Sequence, residues 1–209
     1  NTGQFSNSFY ENALRKKKYA FVADYIRAKV LFEQGGIYLD TDMMLLKPID
    51  SLLQYNFFIG KEISDRVNFA IFGAKKGHRF LKQMLDFYAT AEFNTFSPPV
   101  ITHTFSPLIN ERTIEQDEII FMPSYFYPLT FENRLDNYSE FIKPESYAVH
   151  LWDNSWSKKT QSGIFPLLKS LGEVLVDCLF YKYSFIYFKR YFKEFSRKTY
   201  HLLKEKTGF

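Results

Sequence analysis

The segment Gly35-Gly36-Ile37-Tyr38-Leu39-Asp40-Thr41-Asp42 constrains this chain more than any other. Ile37 to Leu39 is short, apolar and partly β-branched, which suits a buried strand of a parallel or mixed sheet. The two glycines end a preceding helix and let the chain turn. Side chains alternate along an extended segment, so Asp40 and Asp42 share one face. Two carboxylates on one face repel each other unless a cation lies between them. An oxygen-only pair of this kind suits Mg²⁺ or Mn²⁺ rather than zinc. Such an ion completes its shell with water and substrate phosphate, and can stabilise a departing diphosphate as a Lewis acid. A calcium loop of the EF-hand type would need further oxygen ligands and a nearby Gly, whereas Met43, Met44, Leu45 and Leu46 follow. A metal-dependent phosphohydrolase with Asp40 as its nucleophile is an alternative reading of the same two acids.

Upstream, residues 11–34 contain no Pro and no Gly, and their types favour a helix. Phe21, Tyr25, Ala28 and Phe32 form one apolar stripe at helical spacing. Ala20, Asp24, Arg27 and Leu31 form the adjoining stripe. Asp24 and Arg27 therefore lie between apolar neighbours on a mostly buried helix, where ionised groups need each other or a polar ligand. Two readings stand side by side: an internal ion pair that fixes the helix, or a grip on the hydroxyls of a bound sugar.

The run from Ala20 to Arg27, then Leu31, then Gly35 to Asp42, resembles the signature of the glycosyltransferases that contain the DXD sugar-binding region. That group includes yeast-type initiating α-1,6-mannosyltransferases and bacterial capsular-polysaccharide transferases; the clostridial glucosylating toxins carry a related signature. Asn68-Phe69-Ala70-Ile71-Phe72-Gly73-Ala74-Lys75-Lys76-Gly77-His78 resembles the family's second block. Ile119 to Pro128 is similar to its late strand and loop, and Ala148-Val149-His150-Leu151-Trp152 with Ser155-Trp156 to its closing segment. The resemblance implies that Asp42 is the principal metal ligand. Asp40 would contact the ribose, the sugar or the metal through water, and Asp24 and Arg27 would hold the donor sugar. It further implies that His150 reaches the metal or diphosphate from the other side. Asn68 would help bind the donor, and Trp152, Ser155 and Trp156 would belong to a lid over it. Read from the residues alone, His150 follows an apolar strand-like run, and an imidazole beside a Trp is common in plain cores. Indoles offer a stacking surface and one N–H donor each, but they are also ordinary core fillers.

The chain departs from the family pattern in two places. The usual Thr-Gly-Pro element is replaced by Thr102-His103-Thr104-Phe105-Ser106-Pro107, which leaves His103 unexplained near an expected acceptor-side loop. The first N-terminal strand unit of the family, part of its base pocket, is expected to be missing ahead of the opening helix.

Composition narrows the function classes. One cysteine, Cys178, excludes an internal disulfide framework and a Cys-based zinc site. No apolar run is long enough to span a bilayer. Residues 1–181 hold 19 Lys and Arg against 21 Asp and Glu, a net of −2, while residues 182–209 hold 8 against 2, a net of +6. The tail is predicted to be helical from about Phe165 or Leu168, with a break near Gly172. Tyr181, Phe185, Phe188, Phe192, Phe195 and Leu202 fall on one face, and Lys182, Lys189, Lys193, Arg197 and Lys204 on another. Basic residues opposite an aromatic face describe a helix lying on an anionic membrane surface through residues 181–206, or one that simply packs on the domain. Nucleic-acid binding is not expected, since the remainder is not basic and holds no recognisable module.

The expected architecture is α/β: a GT-A-like nucleotide-sugar-binding domain over residues 1–160 with a C-terminal amphipathic helical tail over 161–209. Strands are expected near 37–39, 57–59, 69–74, 119–122 and 147–151, with a helix over 79–91 and a short helix after Pro98-Pro99. Open α/β sheets bind ligands at the carboxyl ends of their strands, where Asp40 and Asp42 fall. The implied activity is Mn²⁺- or Mg²⁺-dependent transfer of a sugar, with retention, from a nucleoside diphosphate donor. UDP-sugars are favoured over GDP-mannose, and the acceptor would be a glycan or lipid-linked acceptor in capsular or surface polysaccharide synthesis. A bacterial enzyme would act at the cytoplasmic face of the membrane, a eukaryotic one in the Golgi lumen. A non-catalytic remnant that binds sugars or partners is a further alternative.

Overall fold

The computed structural model describes residues 7–93, 98–153 and 164–180, together with residues 188–189, 192–193, 195–200 and 204 of the tail. Its helices are α1 (Ser8–Arg15), α2 (Tyr19–Gln34), α3 (Arg79–Thr90), α4 (Ile101–Phe105), α5 (Pro123–Phe126) and α6 (Ile164–Phe180). Its strands are β1 (Gly36–Leu39), β2 (Met43–Leu45), β3 (Phe57–Ile63), β4 (Arg66–Ala74), β5 (Glu118–Phe121) and β6 (Ala148–His150). β1, β4, β3 and β5 form a four-stranded sheet in that order, and β2 pairs with β6 in a two-stranded one. β3 and β5 run parallel while the other pairs are antiparallel, so the sheet is mixed, as expected. One core cluster lies between the sheet and α1–α4 and is rich in aromatics: Phe9 meets Tyr88 at 4.7 Å and Phe21 meets Phe93 at 5.3 Å. A second cluster unites Phe58 and Ile71 of the sheet with Leu52 and with Phe126 and Tyr127 at and after α5.

Four local expectations are corrected. The single helix over 11–34 is two helices, separated at Lys16 to Lys18, where Lys17 takes the left-handed φ of 55°. No Pro or Gly marks that break. Packing imposes it, because Phe9 and Ala13 of α1 must meet the same core as Phe21 and Tyr25 of α2. β1 is half-buried rather than buried, and within the described sheet it is an edge strand. Asp40 and Asp42 do not continue an extended strand; a turn from β1 to β2 carries them, closed by the Met43 N–H donating to the Asp40 carbonyl at 3.0 Å. Finally, α6 runs through Gly172 without a break.

The end of α2 shows why a glycine precedes β1. Gly35 has φ 73°, and a Cβ there would lie 2.8 Å from the Lys76 nitrogen, so only glycine allows the chain to turn so close to the end of β4.

The feature that shapes the site is an irregularity in β4. Ile59 of β3 pairs with Phe72, but the next residue, Gly60, pairs with Asn68. Phe69, Ala70 and Ile71 thus stand out of register with β3, as in a β-bulge. Their freed backbone groups find other partners. The Phe69 carbonyl accepts from Arg27, the Ala70 carbonyl from the Asp40 N–H, and the Ala70 N–H donates to Asn68 Oδ1. The buried Tyr127 hydroxyl accepts from the Ile71 N–H at 3.3 Å and donates to the Asn68 carbonyl at 3.0 Å. Tyr127→Phe removes both bonds while keeping the ring. It is expected to cost about 1–3 kcal/mol, read as a lower urea midpoint at unchanged m-value. A neutral outcome would show that the irregularity does not need the hydroxyl.

Candidate functional site

Arg27 stands at the centre of the site. It projects from α2 and is 7% exposed, with Asp24 beside it at 6%. Its guanidinium lies 3.0 Å from Asp24 Oδ1 and 3.2 Å from Asp40 Oδ1, and donates to the Phe69 carbonyl at 3.0 Å. It also lies over the Tyr38 ring, 4.1 Å from the centroid, and the Tyr38 hydroxyl donates to Asp40 Oδ1 at 2.7 Å. The expected Asp24–Arg27 pair is therefore present, and Arg27 bridges it to the first acid of the Asp-x-Asp motif.

His150 comes to the second acid by a different route. β2 starts one residue after Asp42 and pairs with β6, so that Met43 is opposite His150. The Leu151 N–H donates to the Asp42 carbonyl at 2.9 Å, and His150 Nε2 lies 3.1 Å from Asp42 Oδ2. Asp40, Asp42 and His150 each offer a ligand atom, all within 4.8 Å of one another. His150 Nδ1 is buried and has no hydrogen-bond partner among the described residues. Trp152 stacks obliquely on His150 at 4.0 Å, donates its indole N–H to the Leu129 carbonyl, and holds a left-handed φ of 57°. Its indole is thus committed to the protein on one edge. Ser155 and Trp156 lie outside the described residues. Asn68 stands two residues before Ala70, and its amide is engaged by Glu62 and by the Ala70 N–H.

Three tyrosines lie at this site to which the sequence reading gave no role. Tyr38 was accessible to it, since Tyr38 precedes Asp40 by two residues and strand alternation puts both on one face. Tyr127 carries no local signal; only the fold brings it under the β4 irregularity. Tyr88 has a buried hydroxyl without a partner among the described residues, and its ionisation is opposed first by burial and then by the charge of Asp24.

Burial and neighbouring charge set the electrostatics of the site together. Burial pushes the Asp24 carboxyl up to about 6; Arg27 opposes the rise and the charge of Asp40 adds to it. Burial also works against Asp42, but the His150 hydrogen bond and charge outweigh it and hold that carboxyl below its ordinary range. Burial works against the Arg27 charge, yet Asp24 and Asp40 keep the guanidinium firmly protonated.

Residues 3–58 match the family described as the glycosyltransferase sugar-binding region containing the DXD motif. The chain carries that glycosyltransferase region. Its DXD motif is Asp40-Thr41-Asp42, and the matched span also holds Asp24, Arg27 and Tyr38. The chain is similar to the mouse (Mus musculus) lactosylceramide 4-alpha-galactosyltransferase, with 29% identity over 158 residues that cover 67% of this chain and 42% of that protein. It is 25% identical over 166 residues to glucan organizing enzyme 1 of Cryptococcus neoformans, covering 72% of this chain and 44% of that protein. A third relative is inositol phosphoceramide mannosyltransferase 3 of Schizosaccharomyces pombe, 33% identical over 76 residues, which cover 36% of this chain and 21% of that protein. The chain thus spans less than half the length of these three relatives. No solved structure matches it.

Asp24 gives this DXD region a pH signature. Its carboxyl titrates at an ordinary 3.8 unfolded and at about 6 folded. Between those values the folded state binds the extra proton, so the contribution of Asp24 to stability falls as pH rises and is lowest above pH 6. Asp24→Asn carries no such penalty. The stability of Asp24→Asn relative to wild type should be greater at pH 8 than at pH 4 by on the order of 3 kcal/mol, measured by urea unfolding. A difference independent of pH would show that Asp24 titrates at its ordinary value.

Proposed function

We propose that this chain is the donor-binding part of a metal-dependent hexosyltransferase with a GT-A-like arrangement. The observation that carries the reading is the juxtaposition of two sets. Asp40, Asp42 and His150 present metal-ligating atoms, and Asp24 with Arg27 presents buried charge one residue away, through Asp40. The donor would be a nucleoside diphosphate sugar, and a UDP-sugar is favoured, in keeping with the relatives named as galactosyltransferases. The acceptor would be a glycan, free or lipid-linked; the names of two relatives specify lactosylceramide and inositol phosphoceramide.

The residues fit a divalent ion. Two carboxylates and one imidazole suit Mn²⁺ somewhat better than Mg²⁺, which prefers oxygen alone. His150 would present Nε2 to the ion, which leaves its proton on Nδ1, a buried atom without a partner among the described residues. The ion, when bound, would neutralise charge on the departing diphosphate. Asp24 accepts hydrogen bonds from sugar hydroxyls, and Arg27 keeps Asp24 and Asp40 in fixed orientations. Trp152 shields the same end of the site from water. Both Asp24 and Asp40 are committed to Arg27, and neither is presented as a free nucleophile. That arrangement favours attack by the acceptor hydroxyl on the face from which the diphosphate leaves, with retention. An inverted anomeric centre in the product would sink this part of the reading.

Mn²⁺ with UDP is expected to raise the melting temperature of wild type more than UDP alone, and Asp42→Asn is expected to abolish the added shift. A wild type indifferent to Mn²⁺ with UDP, GDP, CDP and TDP would refute donor binding by this chain.

Attachment to a membrane surface is part of the proposal. Residues 182–209 carry the net charge of +6, and the preceding helix α6 exposes Phe165, Leu179 and Phe180. Within the tail, Phe188 and Phe195 pack against the Val174 cluster of α6, whereas Phe192 is 52% exposed. Among the described residues no helix is long and apolar enough to cross a membrane. Of the aromatic and basic faces expected for residues 181–206, Tyr181, Lys182, Phe185 and Leu202 lie outside the described residues. The chain should cosediment with phosphatidylserine vesicles at low salt and be released as salt rises. Failure to bind at any ionic strength would remove this part.

A further inference from the structure

A groove of about 380 Å³ opens beside the hairpin that joins β3 to β4. Ile63, Asp65 and Arg66 line it from the hairpin, and His103, Ser106 and Asn110 line it from α4 and the turn that follows. The volume lies within the range of small-ligand sites. β1 runs antiparallel to β4, with Leu39 opposite Ile71, so the hairpin lies toward the same end of the sheet as Asp40 and Asp42. Arg66 precedes Ala70, the partner of the Asp40 N–H, by four residues, or ~13 Å along an extended strand.

The groove is also wired to the site. Arg66 donates to Glu62 Oε1 at 3.0 Å, and Asn68 donates to Glu62 Oε2 at 2.8 Å. Asn68 in turn receives the Tyr127 hydroxyl at its carbonyl. Ser106 Oγ accepts from the Val67 N–H at 2.8 Å and fixes the opposite wall to β4. One guanidinium therefore carries five donors, of which Glu62 takes one. Its Nε is buried with no partner among the described residues, although Arg66 lines the groove. The buried Nε is closed to a ligand, but the side chain as a whole is 32% exposed beside the groove, where its other nitrogens can donate to ligand oxygens.

Charge narrows the class of ligand. Arg66 is offset by Glu62, and Asp65 adds a further negative charge, while Lys61 is paired with Glu111. With no net positive charge, the groove is ill suited to a phosphate or a carboxylate. Polar side chains interleaved with exposed Ile63 and Pro107 match a pyranose, which presents hydroxyls at its rim and C–H groups on its faces.

We infer that this groove binds the neutral saccharide of the acceptor, an assignment that rests on the transferase reading above. His103, on the exposed face of α4, is a specificity-determining residue of that groove, and Arg66 is its principal hydrogen-bond donor.

The test uses the full chain and four ligands: methyl β-lactoside, methyl α-mannobioside, lactose 1-phosphate, and Mn²⁺ with UDP. Saccharide binding is read by NMR titration, and metal–nucleotide binding by thermal shift. At least one neutral disaccharide should bind wild type and bind more tightly than lactose 1-phosphate. Arg66→Met should weaken that binding by about tenfold, the loss of one charge-assisted hydrogen bond. His103→Ala, at an exposed position, should weaken it by a smaller factor and leave the fold intact. Arg66 is wired to the site through Glu62 and Asn68, so it is His103→Ala that should keep the wild-type shift with Mn²⁺ and UDP. Neutral disaccharides that do not bind, or that bind wild type and both variants alike, would overturn the groove assignment while the nucleotide shift stands. Tighter binding of lactose 1-phosphate would overturn the neutral class. A wild type that binds a disaccharide but shows no metal–nucleotide shift would overturn the acceptor role together with the transferase reading.

Discussion

Arg27 is the group on which the rest of the site depends. One guanidinium, buried on α2, contacts a carboxylate on its own helix, a carboxylate in the β1–β2 turn and a backbone carbonyl of β4. Its flat face lies on Tyr38 of β1. A lysine could not make these contacts together, because its ammonium is a point charge without a planar fork. Removing the charge would leave Asp24 and Asp40 with no counter-ion, in a place where burial already raises the Asp24 carboxyl to about 6. Breaking a buried charge cluster in this way is among the costliest single changes a fold can suffer. The ion pair serves structure, and the ligand role proposed for Asp24 and Arg27 is compatible with it, so the two readings open at the sequence level do not exclude each other.

The β4 irregularity is the second constraint, and it follows from the first. A regular ladder would spend the Phe69 and Ala70 backbone groups on neighbouring strands. Slipping the register past these residues turns the Phe69 carbonyl to Arg27 and the Ala70 carbonyl to the Asp40 N–H. The buried groups left over are taken up by Asn68 Oδ1 and the Tyr127 hydroxyl. The site is therefore anchored to the sheet by main-chain bonds as well as by side chains, which suits a turn that must hold two carboxylates close together.

Much of this was legible in the sequence because it is local. Helical spacing placed Asp24 and Arg27 next to each other among apolar residues, and both are buried as that spacing required. The Gly-Gly pair marked the end of α2, and Gly35 takes the left-handed conformation that this role demands. The strands near 57–59 and 69–74 were placed correctly but are longer, since β-branched and apolar residues give way to Lys61, Glu62 and Arg66 at the hairpin end. The misreadings were those that packing decides. Lys16 to Lys18 carry no breaker, yet the chain turns there so that two aromatic faces can share one core. Asp40 and Asp42 converge through a turn rather than through strand alternation, so the expected proximity is found by a different geometry. The His150 contact rests on pairing between segments more than one hundred positions apart, which periodicity cannot report; only the family resemblance pointed to it.

These features share a physical consequence. The site holds an acid raised by burial, an acid held low by a histidine, and a buried imidazole nitrogen and a buried tyrosine hydroxyl that have no partner among the described residues. Buried polar groups in folded proteins are normally satisfied, and clusters of exceptions belong to places where a ligand completes the bonding. A ligand that supplies hydroxyls to Asp24 and positive charge to Asp40 and Asp42 removes several of these costs together. Its binding energy then appears in the stability of the fold as well as in occupancy of the site, by simple mass action. Two aromatic-rich core clusters hold α2, β1 and β4 against one another, so Arg27 and the acids keep their positions whether or not a ligand is there to complete the bonding.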